Sequence, residues 1–487
     1  MSLSEIEQLV KQILSEEIAT SSKEESVAAT ALLEEAKEIQ KDILANKGAG
    51  SGVFETVDQA IQAAKIAQKT YFDTSIERRK KIIAAIRSQL LPEVEEIARR
   101  ALEETGMGNL ADKIAKNRLA LEGTPGVEDL VYATRALTGD NGLTLYEMCP
   151  YGVIGAIAPS TNPTETIINN SISMLAAGNS VYFAPHPGAK ETTMWLIGKI
   201  NKIAKEASGI DNLIVTIANP SIQAAQEMMV HPDIAILVVT GGPGVVAQSM
   251  KSGKKVIGAG AGNPPAIVDE TAHLEKAGQD IVDGASFDNN IPCTAEKNII
   301  VVDSVADYLI FNMEKAGAFY VKDIEDIKKL EAICLTDKGT TNKKYVGKSA
   351  EKILTDAGIA YTGHPRLVIV EGYPEMPFAV EEMLMPVVPL IRVPDFEAAL
   401  ALALELEHGY KHTATIHSQN VSRLNKAARA METSIFVKNG PSFAGLGLRG
   451  EGPTTFTIAT PTGEGTTTAR SFARIRRCVL SDAFMIR

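Results

Sequence analysis

The sequence predicts an α/β protein built from two parallel-sheet domains with a cleft between them. Between residues 181 and 258, short apolar runs alternate with longer segments of helical pattern. Continuous apolar strands separated by helices are typical of a parallel sheet that is covered on both faces. A second series of the same kind begins near residue 265. We expect strands at 181–184, 213–218, 234–240 and 255–258, and helices at 188–205, 221–229 and 245–250.

The first 52 residues precede this pattern and form two expected units. Apolar residues recur at a spacing of three and four, which places them on one helical face, at Ile6, Leu9, Val10, Ile13 and Leu14. We expect an amphipathic helix over residues 1–18, and a linker with a second amphipathic stretch over residues 19–52. The first helix either packs on its own domain or binds a groove or helix of a partner.

Between residues 56 and 158, helix-capping residues and apolar runs predict where helices and strands begin and end. Two pairs have the spacing of a capping box and predict the start of helices, namely Thr56 with Gln59 and Thr74 with Glu77. Gly106 predicts the end of a helix. Residues 143–148 alternate like a half-exposed strand, and the apolar run 151–158 predicts a buried one.

Two late segments, 454–460 and 471–480, are rich in β-forming residues and have no helix to cover them. Exposed strand edges in native proteins are usually paired or protected. We therefore expect these segments to pair with another chain or with the strand at 143–148.

Composition excludes several classes of function. The 487 residues include 49 Lys and Arg against 60 Asp and Glu, a net charge of −11 that disfavours non-specific binding to nucleic acid or an anionic membrane. No apolar run approaches the length of about 20 residues that a membrane span needs. The cysteines are scattered and show neither disulfide nor metal-ligand spacing, so we expect a cytoplasmic protein without a metal. They are Cys149, Cys293, Cys334 and Cys478.

The candidate nucleophile is Cys293, in the segment SFDNNIPCTAEK at residues 286–297, which we call the nucleophile loop. Asparagine and proline before the cysteine favour a turn, where a thiol can be presented to a substrate. The reactive form is the thiolate, which a free cysteine with a pKa of about 8.5 populates only partly at neutral pH. The alternative is a buried cysteine that acts as a small hydrophobic residue.

The nucleophile loop resembles that of the aldehyde dehydrogenase superfamily, and in detail its CoA-acylating branch. Similar motifs occur at residues 159–179, 253–265 and 455–467, so the resemblance covers nearly the whole chain. It implies an aldehyde dehydrogenase-like fold with a Rossmann-type cofactor domain, an α/β catalytic domain and a β oligomerisation arm. The implied segments are 53–258 for the cofactor domain, 259–445 for the catalytic domain, and 446–487 with 136–149 for the arm.

The resemblance also implies catalytic roles. Cys293 attacks the aldehyde to form a thiohemiacetal, whose oxyanion needs hydrogen-bond donors. Asn162 is the candidate side-chain donor, together with the Cys293 backbone N–H. Asn162 lies three residues after Pro159, one more than in the wider superfamily. A local Asx turn before Pro163 is the alternative role for this asparagine.

A glycine-rich turn is the main candidate for binding the cofactor. Gly241, Gly242 and Gly244 follow the predicted strand that ends at Thr240 and open a helix. Backbone N–H groups at a helix start can face a pyrophosphate, although this turn is not the GxGxxG pattern. Its placement resembles the superfamily's nicotinamide-cofactor loop. We call residues 240–244 the glycine loop.

Two further segments complete the implied cofactor site. Pro185, His186 and Pro187 replace the lysine-containing segment that binds the adenosine ribose in hydrolytic relatives. His186 either contacts the adenine or belongs to a plain surface turn. Glu382 matches the carboxylate that holds the nicotinamide ribose, and the alternative is a solvated charge at a helix end.

The residue at position 258 bears on whether water or coenzyme A attacks the thioester, and the resemblance implies coenzyme A. Hydrolytic aldehyde dehydrogenases carry a glutamate general base at the corresponding position, so activation of water at the thioester is poorly provided for here. Coenzyme A is itself a thiol and needs less help as a nucleophile. We therefore expect NAD and coenzyme A as cofactors, with Gly258 at the site.

The implied reaction is oxidation of propionaldehyde to propionyl-CoA in a ping-pong sequence, within 1,2-propanediol degradation. Acetaldehyde oxidation in ethanolamine utilisation, a hydrolytic aldehyde dehydrogenase, and a non-enzymatic cargo scaffold are the alternatives. The implied partners are a small aldehyde, a shell or cargo protein bound through residues 1–18, and further copies of the chain in a homodimer or homotetramer. The implied location is a bacterial microcompartment within the cytoplasm.

Overall fold

The computed structural model of the chain describes residues 52–482 together with residues 484 and 486. The helix expected over residues 1–18 and the second amphipathic stretch lie outside the described residues. No helix within the described part of the chain is both long and apolar enough to cross a membrane.

The first sheet has six parallel strands in the order β1-β6-β5-β4-β7-β8. Every residue of β5 is buried, as a continuous apolar strand in a covered parallel sheet should be. The four strands predicted between residues 181 and 258 are confirmed to within about two residues at their ends. The strands are β1 Val53–Phe54, β4 Val153–Ala158, β5 Ser180–Pro185, β6 Ile214–Ile217, β7 Ile234–Thr240 and β8 Lys255–Ala259.

Helices cover both faces of this sheet and precede it. Thr56 caps the first helix as predicted, because its side chain accepts from the Gln59 N–H. The predicted cap at Thr74 is wrong: Ser75 caps the second helix, and the Thr74 hydroxyl donates to the Tyr71 carbonyl instead. Gly106 ends the third helix with a φ of 61°. The helices are α1 Val57–Phe72, α2 Ile76–Leu90, α3 Val94–Thr105, α4 Leu110–Gly123, α5 Glu128–Val131, α6 Pro163–Ala176, α7 Lys190–Ser208, α8 Ile222–Val230 and α9 Pro243–Met250.

The second sheet has seven parallel strands in the order β11-β12-β13-β10-β9-β14-β15. Its central strand β10 is buried along its whole length. This sheet confirms the second α/β series predicted from residue 265. The strands are β9 Pro265–Val268, β10 Asn298–Val302, β11 Ala318–Val321, β12 Leu367–Glu371, β13 Val387–Val393, β14 Thr413–His417 and β15 Ile435–Lys438.

Seven helices accompany the second sheet in the described structure. Two of them, α10 and α11, pack on one face of the sheet beside β10. Helix α10 leads directly into the nucleophile loop. The helices are α10 Leu274–Ser286, α11 Asp303–Lys315, α12 Ile324–Cys334, α13 Ala350–Asp356, α14 Pro377–Val380, α15 Phe396–Leu406 and α16 Val421–Met431.

A separate antiparallel sheet contains β2 Arg135–Gly139, β3 Gly142–Pro150 and β18 Ala473–Ser481. Strand β18 pairs with β3 from Ala473 opposite Pro150 to Ser481 opposite Gly142. This confirms the predicted pairing of the late segment 471–480 with the strand at 143–148.

The strand predicted at 454–460 is largely wrong. Only Ile458–Ala459 (β16) pairs, with Gly465–Thr466 (β17). Before it, the Phe456 N–H donates to Asn169 Oδ1, and the Thr457 N–H donates to Thr455 Oγ1. Side chains that bond to nearby backbone groups in this way compete with a strand ladder.

Candidate active site

A cavity of about 730 Å³ lies beyond the carboxyl ends of β4, β5, β7 and β8. This is the edge of a doubly wound parallel sheet where ligands usually bind. Residues of the nucleophile loop close the cavity on the side of the second sheet. All predicted site residues except Gly258 line it: Cys293, Asn162, Thr240, Gly241, Gly242, Gly244, Pro185, His186, Pro187 and Glu382.

Gly258 is the one predicted site residue that does not line the cavity, and its cofactor-binding role stays a prediction. Its N–H donates to Thr462 Oγ1 over 3.0 Å, and a Cβ at this position would lie 2.9 Å from Val246 Cγ1. Successive side chains of a strand point to opposite faces of the sheet, and a side chain at position 258 would point to the face covered by α9. Among the described residues that line the cavity, Glu382 is the only carboxylic acid.

The nucleophile loop contains a left-handed segment directly before the cysteine. Asp288, Asn289 and Asn290 have φ values of 47°, 55° and 64°. Asn and Asp tolerate this region better than other side chains, which explains their run in the sequence. The Asn289 amide donates to the Gly108 and Gly347 carbonyls, and these bonds hold the segment in place.

Lys297, four residues after Cys293, holds the nucleophile loop, and no sequence pattern marked it as a site residue. Its buried Nζ donates to the Asn290 carbonyl at 2.9 Å, to Asn290 Oδ1 at 2.7 Å and to the Pro292 carbonyl at 3.0 Å. These bonds use all three of its donors on residues just before Cys293. Burial lowers the pKa of the Lys297 ammonium to about 8.

Cys293 is a free thiol that is partly exposed, to the cavity. Burial, followed by the Glu382 carboxylate, raises the pKa of the Cys293 thiol to about 12, whereas Lys297 acts in the opposite direction. The thiol is therefore protonated at rest. The alternative of a cysteine packed in the core does not describe its position.

Asn162 occupies the N-cap position directly before α6, at the cavity wall, but its side chain makes no capping hydrogen bond. Its Oδ1 accepts from Lys116 Nζ at 2.6 Å, and its Nδ2 lies 3.4 Å from Thr161 Oγ1. The Asx-turn alternative for Asn162 is therefore not what the structure shows. Lys116 belongs to a buried cluster on α4 that the sequence did not reveal.

The glycine loop forms an open cradle at the start of α9. A Cβ at Gly242 or Gly244 would meet no atom within 4 Å, so the backbone faces free space there. The first N–H groups of a helix have no acceptor within the helix and carry partial positive charge. A pyrophosphate therefore fits this position chemically.

His186 forms the surface turn of its second alternative, and its contact with the adenine stays a prediction. Its Nδ1 accepts from the Gly188 N–H at 3.0 Å, so it forms the turn after β5, and it also lines the cavity. Partial burial, followed by the charge of Lys343, lowers the pKa of the His186 imidazole. Lys343 comes from the second sheet's side of the cavity, and the sequence analysis did not identify it.

Glu382 lies inside the site, so the alternative of a solvated charge at a helix end is wrong. Its Oε1 accepts from the Gly262 N–H at 3.1 Å, and burial raises the pKa of its carboxyl. Gly262 is confined, because a Cβ there would lie 2.9 Å from the Cys293 carbonyl oxygen and 3.0 Å from His412 Cγ. Burial lowers the pKa of His412 to about 4, and its Nε2 has no hydrogen-bond partner in the described structure.

Two apolar residues of the cavity come from the C-terminal segment, namely Phe456 and Ile458. From the sequence, that segment was expected only to take part in oligomerisation. No group of His, Cys, Asp or Glu residues within 52–482 is arranged to hold a metal ion.

Together these features define a class of protein: a thiol-dependent enzyme whose cysteine shares one cavity with a nucleotide-type glycine cradle. Comparison with known proteins identifies the family. A profile of the aldehyde dehydrogenase family matches residues 49–447, and the chain belongs to this family.

Named relatives share most of the length of the chain. The propanal dehydrogenase (CoA-propanoylating) of Salmonella typhimurium is 55% identical over 488 residues, covering 100% of both chains. The crystal structure of Rhodopseudomonas palustris propionaldehyde dehydrogenase with bound CoA and an acylated cysteine is 52% identical, with a TM-score of 0.88 over 90% of this chain and 100% of the other. A propionaldehyde dehydrogenase from the Clostridium phytofermentans fucose utilisation bacterial microcompartment is 47% identical, with a TM-score of 0.87 over 90% and 100%.

Proposed function

We propose that the protein is a CoA-acylating aldehyde dehydrogenase that converts propionaldehyde, NAD and coenzyme A to propionyl-CoA and NADH. The observation that carries this proposal is that Cys293 and the glycine loop line the same cavity. Relatives at 55% and 52% identity are named for this chemistry and support the substrate. We assign residues 53–258 to the cofactor domain and 259–445 to the catalytic domain.

The first half-reaction takes place at Cys293. The thiol first loses its proton to solvent in the cavity; the thiolate then adds to the aldehyde carbon, and the Asn162 amide and the Cys293 N–H donate to the oxygen that becomes negative. A bound NAD would supply the hydride acceptor for the thiohemiacetal carbon, and this oxidation would leave a thioester on Cys293. The Gly242 and Gly244 backbone would hold the cofactor's pyrophosphate, and Glu382 would hold a ribose.

The second half-reaction transfers the acyl group from Cys293 to the thiol of coenzyme A. Glu382 is the only cavity-lining acid in the described structure, and its carboxylate accepts from the Gly262 N–H. A general base for water is therefore poorly provided, and the thioester persists until a better nucleophile arrives. One cavity serves both nucleotides, so NADH leaves before coenzyme A binds and the kinetics are ping-pong.

Propionaldehyde and acetaldehyde differ by one methylene group, so we expect them to differ in kcat/KM and not in the type of reaction. One methylene in an apolar pocket changes transition-state binding by about 1–3 kcal/mol. Ile291, Phe456 and Ile458 provide apolar surface in the cavity. We expect kcat/KM for propionaldehyde to exceed that for acetaldehyde, and the reverse order would favour the acetaldehyde alternative.

The decisive test is NADH formation from propionaldehyde with and without coenzyme A, with the acyl product identified by mass spectrometry. Strict dependence on coenzyme A and formation of propionyl-CoA support the proposal. Steady turnover without coenzyme A would mean that water reaches the thioester, and a hydrolytic aldehyde dehydrogenase would replace it. No turnover under either condition would favour the scaffold alternative.

We also propose that residues 1–18 direct the enzyme to a shell or cargo protein of a bacterial microcompartment in the cytoplasm, as part of 1,2-propanediol degradation. The amphipathic pattern of that segment and the microcompartment named for one relative support this. Deleting residues 1–18 should leave kcat unchanged and abolish co-purification with shells. Retained co-purification would contradict the proposal.

A homodimer or homotetramer is proposed through the three-stranded arm. Strand β18 exposes Ile475 and Val479, and apolar side chains on a strand favour contact with a further chain. Light scattering of the full chain should give two or four copies. Substituting both residues with lysine should lower that number.

A further inference from the structure

We propose that Lys116 is a positioning residue for the reaction. It holds the Asn162 amide with its NH2 group free for the substrate oxygen, and it ties this amide to the segment that carries Cys293. The inference rests on the proposed function, because it assigns Asn162 to the oxyanion. It adds a residue from α4 that makes no contact with the cavity itself.

Lys116 is fully buried and has three oxygen partners from two other parts of the chain. Its Nζ lies 2.6 Å from Oδ1 of Asn162, which directly precedes α6, and 3.2 Å from Oε1 of Glu165 in the first turn of α6. It also lies 2.6 Å from Asp288 Oδ2, five residues before the nucleophile. One ammonium group therefore joins the oxyanion side of the cavity to the nucleophile loop.

The chemistry of the partners fixes the orientation of the amide. An ammonium group has three donors and no acceptor, so it can bind only the oxygen of Asn162. The amide nitrogen must then point the other way. That nitrogen has only a long contact, 3.4 Å to Thr161 Oγ1, and Asn162 lines the cavity. Without Lys116, the Asn162 amide group would be free to rotate so that its oxygen and nitrogen exchange places.

The charge of Lys116 is secured by its neighbours. The Asp288 and Glu165 carboxylates raise the pKa of the ammonium, against the opposing effect of burial. Lys116 and Lys113 in turn hold the pKa of the Asp288 carboxyl below its usual value. The pairs are mutually compensated, as buried charges must be.

Asp288 extends the effect to the nucleophile loop. It is the first of the three left-handed residues, and its carboxylate also accepts from the Asn109 N–H and from Lys113 Nζ at 3.1 Å. A strained segment persists only where the surroundings hold it. Lys116 thereby fixes the position of the Asn162 amide relative to Cys293.

The same cluster supplies a matched control. Lys113 lies one turn earlier on α4, is equally buried and also binds Asp288, but no hydrogen bond joins it to Asn162 in the described structure. A purely structural role of the cluster would make the two lysines equivalent. A positioning role requires Lys116 alone to act through Asn162.

The test compares K116M, K113M, N162A and K116M/N162A in the full chain. K116M and N162A should each lower kcat by about 10²-fold, the effect of losing one oxyanion donor, with little change in KM. K113M should lower kcat by less than about tenfold. The double variant should be no worse than N162A by more than about threefold, because both changes remove the same interaction.

Two controls separate positioning from folding. The rate of Cys293 alkylation by iodoacetamide, followed by mass spectrometry, should change less than about threefold in K116M, since this reaction makes no oxyanion. If K116M does not fold, K116M/E165Q and K113M/E165Q are compared instead, because each removes one positive and one negative charge from the buried cluster. Failure of both balanced variants to fold would assign the cluster a structural role and overturn the inference.

The outcomes distinguish this inference from the proposed function. Equal losses in K116M and K113M, or multiplicative losses in K116M/N162A, overturn the inference and leave the proposed function intact. A wild-type enzyme that forms no NADH in the presence of coenzyme A overturns the proposed function, and the inference with it.

Discussion

The two sides of the cavity are built in opposite ways. The nucleophile loop is held by buried side chains: Lys297 binds Asn290 and Pro292, and Lys116 binds Asp288. In the glycine loop the corresponding side-chain bond lies at its first residue, between the Thr240 and Thr457 hydroxyls at 2.8 Å, whereas Gly242 and Gly244 face open space. The first side fixes a single sulfur atom, whereas the second offers backbone donors to a ligand.

This difference fits a reaction in which one nucleophile meets two nucleotides in turn. A covalent nucleophile must stay within a fraction of an ångström of its productive position. A site that binds two different nucleotides is better served by backbone N–H groups, which recognise the phosphates that both share. The predictions below test this division of roles.

The largest effect is expected at the nucleophile. C293A should lower CoA-dependent NADH formation by at least about a thousandfold, because no other thiol lines the cavity and the thioester cannot form. Thermal unfolding should be unchanged within a few degrees. C149A is the matched control and should keep full activity, since Cys149 lies in the antiparallel arm. Substantial activity in C293A would remove the cysteine from the mechanism.

The second effect concerns the support below the loop. K297M leaves the Asn290 carbonyl and the Asn290 amide oxygen without their lysine donor, whereas the Pro292 carbonyl keeps the Ala295 N–H, and each buried unpaired group costs about 1–3 kcal/mol. We expect a lower midpoint of thermal unfolding and a loss of kcat of about tenfold to a hundredfold, because a misplacement near 1 Å is enough for this. The half-exposed Lys276 provides the control K276M, which should change neither quantity. An unchanged kcat in K297M would show that the loop needs no such support.

The nucleophile loop was found from sequence because its signals are local. Asn and Pro mark the turn and the cysteine stands within it, so neighbouring letters suffice. Lys297 and Lys116 gave no such signal, because a lysine in a sequence is normally solvated. Their burial depends on the approach of α4, α6 and the loop, which are distant along the chain. Tertiary packing, not local pattern, made these lysines part of the site.

The placement of Gly258 outside the cavity lining and the error at Thr74 have the same origin. The sequence placed Gly258 near the correct strand end, but the side on which its Cβ lies depends on the pleat of β8, which a single position does not reveal. Thr74 and Ser75 are adjacent hydroxyl residues, and either could cap the helix until the backbone conformation is known. The fold class needed only the alternation of strands and helices, which is why it was confirmed.

The third effect concerns the protonation of the nucleophile. With a thiol pKa of about 12, the thiolate fraction rises with pH, and the rate of Cys293 alkylation should increase about tenfold per pH unit from pH 7 to 10 without a plateau. An ordinary thiol would level off near pH 9.5, one unit above its pKa of about 8.5. A plateau of that kind would contradict the raised pKa.

Two charge variants should change the rate of Cys293 alkylation in opposite directions. E382Q removes the negative charge that raises the Cys293 pKa, so alkylation at pH 8 should be about threefold to tenfold faster. K297M removes an ammonium group that is about half protonated at pH 8 and lowers the Cys293 pKa, so alkylation should be slower, by a smaller factor. Parallel changes in the two variants would show that they act on access to the thiol and not on its charge.

The smallest effect is expected on the open side. Gly242 has a φ of −65° and a ψ of 165°, which any residue adopts, and a Cβ there meets no atom within 4 Å. G242A should therefore leave the free energy of unfolding unchanged within about 0.5 kcal/mol. The added methyl group occupies space beside the backbone donors, so KM for both NAD and coenzyme A should rise about twofold to fivefold with kcat nearly constant, the pattern of a lost uniform binding contribution. A rise in KM for NAD alone would mean that the two nucleotides do not share the glycine loop, and a loss of kcat would place this loop in the chemistry instead of in binding.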